Sequence, residues 1–239
     1  MRRVLVTGGG TGIGRAIARG FAENGDKVTI CGRRLEPLEE TANGFDMAMV
    51  QADVTNEASV ENLFDNAFDV VIANAGIARS AKLTELSLED WNDTLSVTLT
   101  GVFLTFRAAL PHMSEGGRLI AIASTASLQG GATLAAYSAA KHGVLGLVRS
   151  IAKEVARQGV TCNAICPGFV DTEMAWEAAK GVSKKFKVDE DTAMEKIVAA
   201  NPMRRLIAPD EVAAAAVFLA SSGAASINGH ALSVSGGEI

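Results

Sequence analysis

Seven short runs of β-branched and aliphatic residues punctuate the chain, at 4–7, 28–31, 47–51, 70–73, 119–123, 160–165 and 231–234. Most are apolar without alternation, the pattern of strands covered on both faces. Between them the apolar spacing changes to that of helices. Ile13, Ile17 and Phe21 line one stripe of a first helix that Gly25 stops. Ser87 with Asp90 reads as a capping box opening a long helix towards Pro111 and His112. A further helix spans 135–157 and ends near Gly159, and Pro209 followed by Asp210 and Glu211 marks a late helix start. This alternation predicts an α/β fold, a doubly wound parallel sheet of seven strands with helices on both faces. One stretch breaks the rhythm: 173–206 mixes Met174, Trp176 and Phe186 with many charges and reads as a helical lid over a binding site. Without repeats or linkers, residues 1–239 are expected to form a single domain.

Composition narrows the function classes. The chain is 48% apolar and 21% charged, ordinary for a globular domain. A net charge of −5 argues against a nucleic-acid surface, which needs a basic face. No apolar run reaches bilayer-spanning length by inspection, and Met1-Arg2-Arg3 leads straight into the first strand, so a cytoplasmic location without membrane contact is expected. Cys31, Cys162 and Cys166 are odd in number, and neither they nor the three histidines show metal-ligand spacing. The thiols read as small buried side chains.

Candidate chemistry begins after the first strand, where Gly8, Thr11, Gly12, Ile13 and Gly14 fall in a turn that precedes a helix. Glycine permits the turn and lets backbone amides approach an anion at the helix N-terminus, so this is a candidate pyrophosphate cradle. At the end of the second strand stands Gly32-Arg33-Arg34, where an acid would repel a 2′-phosphate. A guanidinium pairs with that phosphate instead, so NADP(H) is preferred, with NAD(H) possible.

The second half carries a proton-transfer set. Tyr137 and Lys141 lie one helical turn apart, thirteen residues after Ser124, and Tyr137 is the only tyrosine. A phenol is a poor acid–base catalyst at neutral pH, and a fixed neighbouring cation favours its ionisation. Nucleotide cradle and proton donor together suggest hydride chemistry on a carbonyl or secondary alcohol.

With Asp53-Val54, Asn74-Ala75-Gly76, Pro167-Gly168 followed by Val170 and Thr172, and the closing Ser235-Gly236-Gly237, the chain resembles the short-chain dehydrogenase/reductase superfamily over essentially its whole length. The resemblance implies a Rossmann fold and roles for the matching positions. Asp53 and Val54 flank the adenine, Asn74 and Gly76 line the cofactor groove, and Val170 with Thr172 meets the nicotinamide carboxamide. Tyr137 is the acid–base, Ser124 binds the substrate oxygen, and Lys141 holds the ribose while lowering the phenol's pKa. The family's catalytic asparagine falls at Thr98, and the usual asparagine pair is reduced to Ala73-Asn74. The segment between Asp53 and Asp69 is short, predicting a truncated helix.

The stretch from Gly159 to Gly168 is similar to members acting on 3-hydroxybutyrate or 3-hydroxyacyl thioesters, and the overall pattern to 3-oxoacyl-thioester reductases. The expectation is an NADP(H)-preferring ketone reductase that assembles as a homo-oligomer, a tetramer or dimer. The alternatives are an NAD-dependent secondary alcohol dehydrogenase and a cofactor-binding sensor without catalysis. A nucleotide-sugar epimerase, which shares the Tyr-x-x-x-Lys pair, generally has a larger C-terminal substrate domain. Met174, Trp176 and Met203 are expected to offer an apolar pocket, and Lys180, Lys184 and Lys185 cations for an anionic substrate tail.

Overall fold

The computed structural model describes residues 1–199 and 201–239. Each apolar run forms a strand: β1 (Arg3–Thr7), β2 (Lys27–Gly32), β3 (Met47–Gln51), β4 (Val70–Ala73), β5 (Arg118–Ile122), β6 (Thr161–Pro167) and β7 (Ala231–Val234). All pair in parallel in one sheet of order β3-β2-β1-β4-β5-β6-β7. After β3 the chain crosses to the other side of β1, and that reversal opens a crevice at the carboxyl ends of β1 and β4. Burial explains the missing alternation: β4, β5 and β6 are buried at every position.

The helices are α1 (Gly12–Glu23), α2 (Leu35–Ala42), α3 (Glu57–Glu61), α4 (Leu88–Leu95), α5 (Gly101–Ala109), α6 (Ala135–Val155), α7 (Glu173–Phe186), α8 (Glu190–Val198) and α9 (Pro209–Leu219). Alternate strand residues feed two cores. Val4 and Val6 join Ile17 and Phe21 of α1 and Val212 and Leu219 of α9, while Leu5 joins Phe106 of α5 and Val144 and Val148 of α6. The stripe read from α1 is thus its buried face, and Gly25 reverses the chain at φ +80. The shortened segment forms only α3 and a 3-10 turn at Asn62–Phe64, closed by an edge-to-face pair of Phe64 and Phe68 with centroids 5.8 Å apart.

Ser87 caps α4 by accepting from the Asp90 amide at 3.0 Å. The long helix that it opens is not uniform, because a π turn at Ser96–Thr100 separates α4 from α5. The helical stretch Leu88–His112 has 25 residues and a window of mean hydropathy 1.3, which corrects the expectation that no run reaches bilayer-spanning length. Length and composition alone would suit a span; here 44% of that window is buried inside the fold, with Val102, Phe106 and Ala109 in the core.

The insert folds as α7 and α8, with a small core of its own built from Ala179, Ala193, Met194 and Ile197. Residue 200 of the expected 173–206 lid lies outside the described residues.

Candidate active site

The glycine turn takes the form its residues demand. Gly8 and Gly12 adopt φ +63 and +51, a region that side chains other than glycine enter at a cost. A Cβ on Gly14 would overlap the Gly8 carbonyl oxygen, so α1 can start against β1 only with glycine there. Thr11 is the N-cap and makes no side-chain capping bond, and the first turn holds no acid. The N-terminal amides of α1 therefore keep both their free donors and their positive dipole end.

Asn74 ties this turn to β4. Its side-chain amide donates to the carbonyls of Thr7 and Gly8 at 3.0 and 3.1 Å, and its backbone N–H donates to the Thr7 hydroxyl at 3.0 Å. A second brace escaped the sequence reading. Arg15 and the Thr41 hydroxyl both donate to the Gly10 carbonyl, at 2.8 and 3.0 Å, holding the outer side of the turn to α2. The only hint was an arginine directly after the last glycine.

A groove of about 370 Å³ runs from this turn across the crevice. Gly8, Thr11, Gly12, Ile13 and Gly14 line one part, Arg33, Asp53 and Val54 the β2–β3 side, and Asn74, Gly76, Tyr137, Lys141 and Thr172 the rest. Arg33 and Arg34 are exposed and make no ion pair among the described residues. Asp53 accepts from the Thr55 amide at 2.9 Å; that bond, with Arg33 nearby, holds its carboxyl below the usual range. Val170 is buried and bridges Ile207, while Thr172 lines the groove.

At the far end the polar cluster after β5 resolves into a cap. Ser124 accepts from the Ala126 amide at 3.1 Å, and Ser127 accepts from the Ser124 amide at 3.2 Å. Ser127 and Thr125 thus shape the turn, leaving Ser124 at its edge. From the first turn of α6, half-buried Tyr137 reaches Ser124. Burial raises the phenol's pKa, and the hydrogen bond from Ser124 lowers it in part. Lys141 is 4% exposed; its Nζ donates to the Ile122 carbonyl at 2.6 Å and stands 5.7 Å from the Tyr137 ring centroid. Burial lowers its pKa to about 8. Burial is the larger influence on the phenol, and the Lys141 ammonium is engaged by the Ile122 carbonyl.

Thr98 is fully buried inside the π turn. Its hydroxyl accepts from the Ile77 amide and donates to the Ile77 carbonyl, both at 3.2 Å. Side chain and loop are thus joined as a bidentate pair, which spacing alone could not reveal. On the lid, Met174 lines the groove, but Trp176 and Met203 do not. Trp176 donates to Asp171 at 2.9 Å, and Lys180 is paired with Glu177 at 2.6 Å. The expected apolar lining is thus met by Met174 alone of the three lid residues.

The strand order, the glycine turn at the switch point and the serine–tyrosine–lysine set define a nucleotide-dependent oxidoreductase of the α/β class. Residues 8–238 match a family model described as Enoyl-(Acyl carrier protein) reductase. A putative ketoacyl reductase of Streptomyces coelicolor is 38% identical, covering 98% of this chain and 95% of that protein. The D-beta-hydroxybutyrate dehydrogenase of Cupriavidus necator is 33% identical, covering 100% and 98%. A crystal structure of a variant actinorhodin polyketide ketoreductase with NADPH superposes with a TM-score of 0.94 at 35% identity, covering 99% and 97%. The chain belongs to the short-chain dehydrogenase/reductase superfamily and is an oxidoreductase acting on keto and hydroxyl groups.

Proposed function

We propose that this protein is an NADP(H)-preferring reductase that interconverts a 3-oxoacyl-type ketone and its secondary alcohol, with Tyr137 as acid–base. The observation that carries the reading is the meeting of Ser124 and Tyr137 beside Lys141 at one end of the glycine-lined groove. The cradle fits a dinucleotide: its amides are uncapped, and the space a Cβ would fill at Gly14 is already taken by backbone. The amides at Gly12, Ile13 and Gly14 would hold the pyrophosphate, Arg33 the 2′-phosphate, and Asp53, Val54, Asn74 and Gly76 the adenosine side and the groove floor. When bound, the nicotinamide supplies or accepts the hydride.

The chain's own residues manage the proton. In reduction the Tyr137 hydroxyl donates its proton to the carbonyl oxygen, and the Ser124 hydroxyl donates a hydrogen bond to that same oxygen as charge develops. In oxidation the phenolate takes the alcohol proton. Thr172, which lines the groove, would hold the carboxamide. Lys141 would hold the ribose hydroxyls, and its charge beside Tyr137 would favour the phenolate. Thr98 supports this end by holding Ile77, so its replacement of an asparagine does not by itself argue for a silent cofactor sensor.

Relatives named for ketoacyl reduction and for hydroxybutyrate oxidation support a 3-oxoacyl or 3-hydroxyacyl substrate. Exposed Phe103 on α5, with open space beside Gly146 on α6, supports a homotetramer or dimer, and a cytoplasmic location completes the reading.

Steady-state NADPH oxidation with 3-oxoacyl thioesters and short ketones is the test. Tyr137→Phe is expected to lower kcat by about 10²–10⁴-fold while NADPH binding persists. Unchanged turnover in that variant would refute the acid–base assignment. Arg33→Asp is expected to weaken NADPH relative to NADH by about tenfold or more, the loss of a charge-assisted pair plus a repulsion. Equal ratios before and after would remove Arg33 from the phosphate site.

A further inference from the structure

Three non-glycine residues have positive φ among the described residues: Thr133, Lys187 and Arg204. Lys187 ends α7 as its C-cap, and Arg204 closes a turn whose amide donates to the Asn201 carbonyl. Thr133 is neither. It is β-branched, stands at φ +68, and lies four residues ahead of Tyr137. A β-branched residue there is strained, and such strain persists where the surroundings over-determine it.

Two bonds from this loop to the segment after β4 do so. The Thr133 carbonyl accepts from the Ala81 amide at 2.9 Å, and its hydroxyl pairs with the Ser80 hydroxyl at 2.7 Å. Arg79, next to Ser80, is itself ion-paired with Asp90 and Asp93 of α4. The segment after β4 is therefore fastened to α4 on one side and to the loop 129–134 on the other. Both fastened loops border reacting residues. Ile77, bonded to Thr98 and lining the groove, leads into Arg79 and Ser80. Leu134, the N-cap of α6, follows Thr133 and makes no side-chain capping bond, so the first turn bearing Tyr137 takes its position from the latched loop.

We propose that Thr133 is a positioning residue, which with Ser80 latches the two loops and sets the width of the carbonyl entrance beside Tyr137. The inference rests on the ketone-reductase reading given above, and it concerns how tightly that site holds its substrate. A wider mouth would admit bulky rings at the expense of a short chain held for attack.

The test compares Ser80→Ala, Thr133→Val and Thr133→Ser, measuring KM for NADPH, for a short open-chain 3-oxo ester and for a bicyclic ketone, with deuterium exchange over residues 78–86. Thr133→Val keeps the branch and the strain but loses the hydroxyl; Thr133→Ser keeps the hydroxyl. Ser80→Ala and Thr133→Val are expected to raise KM for the short ketone by about fivefold, one lost hydrogen bond. They should also shift selectivity towards the bicyclic ketone, leave KM for NADPH unchanged and speed exchange at 78–86, with Thr133→Ser matching wild type. Unchanged ketone KM values, or equal rises for NADPH and ketone, would overturn the latch. A wild-type protein that reduces no ketone would defeat the functional reading instead, and unchanged exchange in Ser80→Ala would then still overturn the latch by itself.

Discussion

Tyr137 shows how one side chain depends on its surroundings. Burial holds the phenol's pKa above its usual value, and the hydrogen bond from Ser124 offsets this in part. A protonated phenol is the form that reduction needs, so the reductive kcat should fall as pH rises through the phenol's pKa in the enzyme–substrate complex. Oxidation needs the phenolate and should rise over that range. A pH profile that rises with pH in the reducing direction would reverse this assignment. Some of the site's residues were legible because only one residue type meets the need: glycine at 8, 12 and 14, and a phenol one turn from an ammonium. Their partners were not. Thr98 finds Ile77, and Thr133 finds Ser80, across 21 and 53 positions, contacts that no local pattern encodes.

At the scale of elements the periodicities carry far. Strand boundaries shift by one or two residues from the apolar runs, because pairing extends to Arg3, Lys27 and Pro167 wherever a neighbour offers hydrogen bonds. The π turn inside the helix after Ser87 left no such trace, since every residue from Ser96 to Thr100 is compatible with an ordinary helix. Of all the helices, α1 bears the most on the site, because it brings the cradle's amides to the crevice. It is anchored by Phe21, fully buried among Ile17, Val212 and Leu219. Phe21→Ala should therefore destabilise the protein by about 3–5 kcal/mol. Urea unfolding measures this; a loss below about 1 kcal/mol would mean the neighbouring side chains collapse into the space. The lid differs in kind, with its own small core and an exposed outer face.

Across the whole molecule, burial of the sheet sets the response to alkali. Desolvation raises Cys31 to about 12 and Cys166 to about 11 from an ordinary 9.0, and pushes Cys162 higher still. Unfolded thiols lose their protons above pH 9 while folded ones keep them, so stability present below pH 9 declines as pH rises through the folded values. Lys141 works the other way. Its folded value near 8 against an ordinary 10.5 adds stability as pH climbs between them, but it is one group against three thiols. The urea midpoint of the reduced, cofactor-free protein should thus fall from pH 9 upward, and Cys31→Ala should flatten the fall. A midpoint level to pH 11 would contradict the burial of these thiols.

Periodicity and residue type by themselves determined the seven strands, the alternating helices, the glycine turn before the first helix and the spacing of Ser124, Tyr137 and Lys141, because each is a short-range property of backbone sterics, amphipathic spacing or side-chain chemistry. The order of strands around β1, the bond of Lys141 to the Ile122 carbonyl, the bridge of Val170 to Ile207 and the contact of Thr133 with Ser80 were decided only by the tertiary structure. Each of these depends on which distant groups compete for the same buried hydrogen bond or volume, and that competition exists only once the chain has closed on itself.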